Sequence, residues 1–242
     1  MKIVAGMLIH NAISHDRLEI AKEAVWSLAS EADEVIVWDN GSTDGTEEWV
    51  ATIGGHCDVP ADGNTTGGRG MNNVATAAAK RGDVVVLTAD DMIWRPGWRS
   101  VVEEFWSNID RKVAIFCGLL EPEYPWSVPE GGIRVGTVHA LIRPTVPGSA
   151  WTFRSRDWFD AIGPVPEVQG HDDVPTCRRL VDRNWLLCAA DLAEHRGEDR
   201  SVWGNKSYQY ARPLNTRGFP VTSTLPGRMD EDNATLSARE AL

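Results

Sequence analysis

The sequence has no apolar run approaching the ~18 residues that a membrane-spanning helix requires, and no internal repeat. Its first residues, MKIVAGMLIHNAIS, hold one lysine and a short apolar run but no small-residue cleavage pattern. The four cysteines, Cys57, Cys117, Cys177 and Cys188, show neither CxxC pairing nor zinc-ligand spacing. Buried free thiols in a reducing compartment are the expectation, and with them a cytoplasmic protein. Positive charge is also scarce. Lys and Arg number 24 against 35 Asp and Glu, a net charge of -11, which argues against broad electrostatic binding to nucleic acid or an anionic membrane.

What remains is an ordinary globular profile, 42% hydrophobic and 24% charged over 242 residues, enough for one large α/β domain or two small ones. Tryptophan is plentiful, 11 in all, so that sugar-stacking surfaces compete with plain core packing as its use.

Residues 2–9 read as a strand. Ser14 suits a helix N-cap with Asp16 in the first turn, and Leu18, Ala21, Val25 and Leu28 recur at helical spacing. Residues 34–38 form a second apolar strand ending in the turn cluster Asp39-Asn40-Gly41-Ser42, after which Asp44 and Glu47 are spaced as a capping box. Strand, helix, strand within about forty residues is a βαβ unit, so a largely parallel sheet is expected. A glycine-rich loop from Gly63 to Gly70 precedes an alanine-rich helix over 71–80, and residues 84–87 are a further buried strand. Pro96-Gly97-Trp98 opens a helix facing inward with Val101, Val102, Phe105 and Ile109, and residues 113–119 return as a strand.

Beyond residue 120 the composition turns to proline and glycine. Strands are expected at 133–142 and 151–153, and helices at 157–162 and 174–184. The division is one domain over 1–204, with halves at 1–120 and 121–204. A polar arm without periodicity follows at 205–242.

One stretch is physically odd. Leu87-Thr88-Ala89-Asp90-Asp91-Met92 drives a buried strand into two adjacent carboxylates, which resist burial unless a positive group sits beside them. Ligands of an open parallel sheet lie at the carboxyl ends of its strands. Three polar clusters fall there: His10-Asn11, Asp39-Asn40-Gly41-Ser42, and Asp90-Asp91. Each alone is an ordinary turn composition, Asp39 suiting an Asx-turn as well as a ligand contact. Together they make a site.

In these segments the sequence resembles the family-2 nucleotide-sugar glycosyltransferases. Residues 37–46, VWDNGSTDGT, are similar to the family's VDNGSTDGT signature, and Asn64 to Asn72 to its NxGxxGGxN loop. Thr88-Ala89-Asp90-Asp91 with Pro96-Gly97-Trp98 resembles NDD…PGW, and Trp151 to Gly163 resembles xxxRRxxFxxIGxFxE. His171-Asp172-Asp173 through Trp185 resembles GEDxDLxxRLxxxGW, and His195 falls where a late histidine is usual. Six segments in order cover roughly the first two hundred residues.

The resemblance implies an α/β chain of the GT-A fold, a mostly parallel nucleotide-binding sheet flanked by helices with a mixed acceptor-side portion. It implies a metal-dependent, inverting glycosyltransferase that moves sugar from a nucleotide-sugar, a UDP-sugar foremost, to an acceptor hydroxyl on a glycan, protein or modified base. Donor contacts fall on His10, Asn11, Asp39, Asn40, Gly41, Asn64, Arg69, Asn72 and Asp90. The metal, Mn²⁺ or Mg²⁺, falls on Asp91 with His195, and catalysis on Asp173 as base with Asp172 beside it. Arg178 or Arg179 either neutralises the site or makes a helix-surface salt bridge, and Trp126, Trp151 and Trp203 either stack on sugar or fill core.

Two other readings stay open. Ala89 stands where the family often has an acid or amide, which leaves a sugar-nucleotide-binding protein without turnover as a rival. A nucleotidyltransferase on a related fold is the other, though no Arg- or Lys-containing glycine loop follows the first strand.

Overall fold

The computed structural model describes residues 1–58, 66–119, 130–167 and 173–196. The expected domain boundary at 120, the arm from 205, and His171, Trp126 and Trp203 lie outside them.

Strand β1 (Ile3–Ile9) is the buried axis of the amino-terminal half. It pairs in parallel with β2 (Glu34–Asn40) on one side and β4 (Val84–Ala89) on the other, with Ile9 beside Asp39 and Leu8 beside Ala89. Strands covered on both faces carry continuous apolar runs, which is why Val84-Val85-Val86-Leu87 was readable as buried. The short edge strand β3 (His56–Asp58) runs parallel to β2 and was not foreseen. It is only three residues long and leaves the thiol of Cys57 exposed, unlike the other three cysteines.

Helix α1 (Leu18–Ala29) buries Ala21, Ala24 and Leu28. Its N-cap is Arg17 rather than Ser14. Residues 11–16 coil into tight turns instead of helix, with Asn11 and Asp16 at φ 48 and 54 and the Arg17 amide donating to the Ala12 carbonyl at 2.7 Å. Helix α2 (Thr46–Thr52) is likewise capped one residue later than its composition suggests. Gly45, at φ 92, takes the N-cap, a left-handed conformation that glycine adopts without steric cost. Asp44 then accepts from the amides of Thr46 and Ser14, and Glu47 from that of Gly45.

Helix α3 (Gly67–Ala79) buries a face of small residues. β5 (Met92–Trp94) follows β4, and α4 (Trp98–Asn108) buries Trp98, Val102, Phe105 and Trp106, with Val101 only half covered. Strand β6 (Val113–Cys117) completes this half.

The second half does not stand apart from the first. The expected strand at 133–142 is a hairpin, β7 (Gly131–Val135) and β8 (Val138–Ile142), turning at Gly136. Strand β9 (Ala150–Arg154) inserts between β4 and β6, antiparallel to both. A short helix α5 (Ser155–Asp157) runs into a π-helical turn over Trp158–Ile162. Helix α6 (Asp173–Asp182) leads to β10 (Leu186–Ala189), which pairs in parallel with β6, and to β11 (Ala193–His195), which pairs antiparallel with β5. The main sheet therefore runs β3-β2-β1-β4-β9-β6-β10-β8-β7. Its strands are parallel through β4 and mixed beyond. Trp151 is fully buried, so core packing is its use. Among the described residues no helix is long and apolar enough to cross a membrane.

Candidate active site

Asp90 and Asp91 occupy the turn between β4 and β5, 4% and 5% exposed. The positive group beside them is a side chain, and the sequence reading missed it. Arg17, itself 7% exposed, donates through Nη1 to Asp90 Oδ1 at 3.0 Å and Asp91 Oδ2 at 3.4 Å, and through Nη2 to the His10 carbonyl at 3.3 Å. The turns over residues 11–16 deliver it there. An arginine directly before an amphipathic helix, behind a turn cluster that follows the first strand, was the available signal.

His195 reaches the same carboxylates from the other side. The pairing of β11 with β5 sets His195 opposite Met92, and its Nε2 lies 3.2 Å from Asp91 Oδ2. The Arg196 amide donates to the Asp91 carbonyl, fixing that turn from the same strand. Burial pushes the Asp90 carboxyl up to about 7, against the pull of Arg17 and with the repulsion of Asp91. Burial also raises Asp91, but His195 and Arg17 outweigh it and hold that carboxyl below the usual range. The pair is therefore asymmetric: Asp91 keeps its charge, and Asp90 takes the first proton.

Asp39, 1% exposed, accepts from the Ser42 amide at 3.2 and 3.3 Å and from the Ser42 hydroxyl. These bonds reach three residues on, one more than an Asx-turn, and close the turn onto the Asp39 carboxylate. Burial raises its carboxyl, and the Ser42 bonds work against the rise. Asn11 laces this turn to the end of β1: its amide donates to Ser42 Oγ at 2.8 Å and its Oδ1 accepts from Thr43 at 2.9 Å. Its Nδ2 lies 3.0 Å from His10 Nε2. Asn40 donates to the Thr66 carbonyl at 3.1 Å, tying β2 to the start of α3, and Gly41 turns at φ 76. His10, Asn11, Asp39, Asn40, Gly41, Asp90, Asp91 and His195 thus share one edge of the sheet.

Two residues of α3 already hold protein partners, Arg69 at the same strand-end edge and Asn72 away from it. Arg69 lies 4.0 Å from Asp58 at the end of β3. Asn72 exchanges hydrogen bonds with the backbone of Val165, donating at 3.0 Å and accepting at 2.8 Å. Asn64 and Asp172 fall outside the described residues.

Asp173 opens α6. Its Oδ2 accepts from the Gly148 amide at 3.1 Å and its Oδ1 from the Val174 amide at 2.9 Å. Gly148 precedes Ser149, whose carbonyl accepts from Ala89, and Ala150 pairs with Thr88. The register therefore brings Asp173 to the end of β4 that carries Asp90 and Asp91. Arg178 lies 4.0 Å from Asp182 one helical turn away, the surface bridge anticipated for it. Arg179 instead donates to the carbonyls of Ile162 and Pro164.

A divalent metal fits this donor set in one form only. Among the described residues no three His, Cys, Asp or Glu side chains converge on a point, so a closed protein cage is excluded there. Asp91 keeps a buried Oδ1 with no hydrogen-bond partner beside His195. Mg²⁺ and Mn²⁺ accept one or two protein ligands when phosphate oxygens complete the shell. Asp91 and His195 supply that number.

Residues 9–125 match the family model described as Glycosyl transferase family 2. No curated protein sequence matches the chain. Among solved structures the chain is similar to TarS of S. aureus, with a TM-score of 0.55 and 15% identity over 82% of this chain and 37% of that one. It is similar to a mannosyltransferase from Pyrobaculum calidifontis in complex with GDP-Man and Mn²⁺, with a TM-score of 0.53 and 17% identity over 86% of this chain and 60% of the other. A third is glucosyl-3-phosphoglycerate synthase from Mycobacterium tuberculosis with Mg²⁺ and UDP, with a TM-score of 0.53 and 16% identity over 81% and 71%. The chain spans less than two thirds of the length of the first two. At these identities the likeness establishes the fold.

Proposed function

We propose that this chain, whose residues 9–125 match the family model of Glycosyl transferase family 2 and whose fold is that of the glycosyltransferases named above, transfers a sugar from a nucleotide-sugar to an acceptor hydroxyl with inversion. The carrying observation is convergence: the ends of β1, β2 and β4 and the first residue of α6 bring Asp39, Asp91 and Asp173 to one sheet edge.

In this reading Asp39, with His10, Asn11, Asn40, Gly41 and Asn64, receives the nucleoside, and its carboxylate accepts from a uracil N–H. That favours UDP, although one structural neighbour holds GDP-Man and another UDP. Arg69 serves the diphosphate, and Asp90 the ribose or a metal-bound water. Asp91 and His195 hold Mn²⁺ or Mg²⁺. When bound, the metal offsets the charge that develops on the departing diphosphate. Asp173, with Asp172 beside it, takes the proton of the acceptor hydroxyl as the glycosidic bond forms. Acceptor classes in keeping with the family are glycans, proteins and modified bases.

The rival reading, nucleotide-sugar binding without turnover, draws on Arg17, which already compensates Asp90 and the metal-side carboxylate Asp91. Incubating the protein with a panel of nucleotide-sugars and Mn²⁺ separates the two. Release of nucleoside diphosphate from at least one donor is expected, and tight donor binding with no release from any of them would favour the rival.

A further inference from the structure

The backbone between the π-helical turn and α6 is gripped from two sides. Asn72, in the second turn of α3, holds Val165 by reciprocal bonds at 3.0 and 2.8 Å across 93 residues of sequence. One turn on, Thr76 accepts from the indole of Trp158 at 3.0 Å. At the start of the same helix, Gly68 lies so close to Pro166 that a Cβ there would overlap the Pro166 carbonyl oxygen. From the opposite side Arg179 of α6 donates to the Pro164 carbonyl at 3.2 Å and to that of Ile162. Met71, neighbour of Asn72, and Asp173 both approach Gly148, where a Cβ would lie 3.4 Å from Met71 Cε and 3.3 Å from Asp173 Cβ.

We propose that Asn72 is a positioning residue: through Val165 it fixes residues 163–167 as a strap that registers α6, and hence Asp173, against α3. Ligand contact is the poorer use for this side chain, since one donor and one acceptor of its amide are already taken by a single backbone residue. Two reciprocal bonds to one backbone residue define an orientation as well as a distance, which a lone contact does not. α3 begins beside Asn40 and Arg69 on the nucleotide side, so the strap joins the donor side of the site to the acceptor base. The inference rests on the transferase reading given above.

The test uses the full-length chain with Asn72→Ala and, independently, Arg179→Met, which releases the strap from its other anchor. Three quantities are read: amide exchange of residues 163–167 and 173–177, UDP affinity with Mn²⁺, and turnover of a nucleotide-sugar. Both variants should exchange about tenfold faster in these segments, bind UDP within about threefold of wild type, and turn over at least about tenfold more slowly. UDP affinity weakened tenfold with exchange unchanged would make Asn72 a ligand contact and overturn the proposal. Faster exchange with turnover intact would overturn it as well, by showing that the strap does not govern the base. A wild-type chain that binds neither UDP nor GDP would remove the transferase reading itself, a failure visible before either variant is made.

Discussion

Arg17→Met should destabilise the protein by about 3–5 kcal/mol, because removing one partner of a buried ion pair strands the charge of the other. Here Asp90 loses its ion-pair partner and Asp91 is left with His195, both carboxylates almost fully covered, with Asp90 Oδ2 and Asp91 Oδ1 already lacking hydrogen-bond partners. For a chain of this size the loss corresponds to a fall in Tm on the order of 10 °C. Its pH dependence has a definite sign. Burial lifts the Asp90 carboxyl to about 7, and Arg17 is the leading influence that opposes the lift. A carboxyl whose folded-state pKa lies above its unfolded value binds the proton more readily when folded, so stability declines as pH rises from about 4 through 7 and then levels. Without Arg17 the lift is larger, and the decline extends to higher pH. The gap in Tm between wild type and Arg17→Met should therefore be wider at pH 8 than at pH 5, as thermal denaturation in the two buffers will read. Equal gaps would mean that the pair is not ionised around Arg17. Arg17→Lys keeps the charge but not the fork that reaches both carboxylates and the His10 carbonyl, and should fall between.

Asp173→Asn should lower kcat by about 10²–10⁴-fold, the usual worth of a positioned general base. The substitution is close to isosteric. Its amide oxygen keeps one of the two backbone N–H bonds and its NH2 cannot accept the other, so folding stability should fall by about 1–2 kcal/mol. UDP affinity should change little, since Asp173 is held by Gly148 and Val174 rather than by the strand-end clusters of β1 and β2. Steady-state release of nucleoside diphosphate, measured beside calorimetric UDP binding, checks both statements. Turnover undiminished in Asp173→Asn would move the base to another carboxylate, Asp172 first.

The nucleotide half was legible because its signals are local. β1, β2 and β4 are covered on both faces, so each is a continuous apolar run that stops abruptly at a polar cluster, and the switch-point rule then gathers the clusters at one edge. What stayed hidden depends on partners distant in sequence. Arg17 meets carboxylates 73 and 74 residues away, and its place before a helix marks it as a candidate without naming those partners. Asn72 carried a motif position, which suggested ligand contact, whereas its amide goes to a backbone 93 residues on. The insertion of β9 between β4 and β6 was equally unreadable, since an antiparallel strand arriving from the second half leaves no mark on either neighbour. His195 was found by motif order alone. Only the pairing of β11 with β5 explains why it faces Asp91.

The most direct test is calorimetric titration of UDP into the full-length protein, with Mn²⁺ and with EDTA, for wild type and Asp91→Asn. A nucleotide diphosphate held at the ends of β1, β2 and β4 through a metal on Asp91 and His195 requires wild-type binding that depends on Mn²⁺. It also requires that binding in Mn²⁺ weaken at least about tenfold in Asp91→Asn. No UDP binding by the wild type, or binding indifferent to both EDTA and Asp91→Asn, would contradict it.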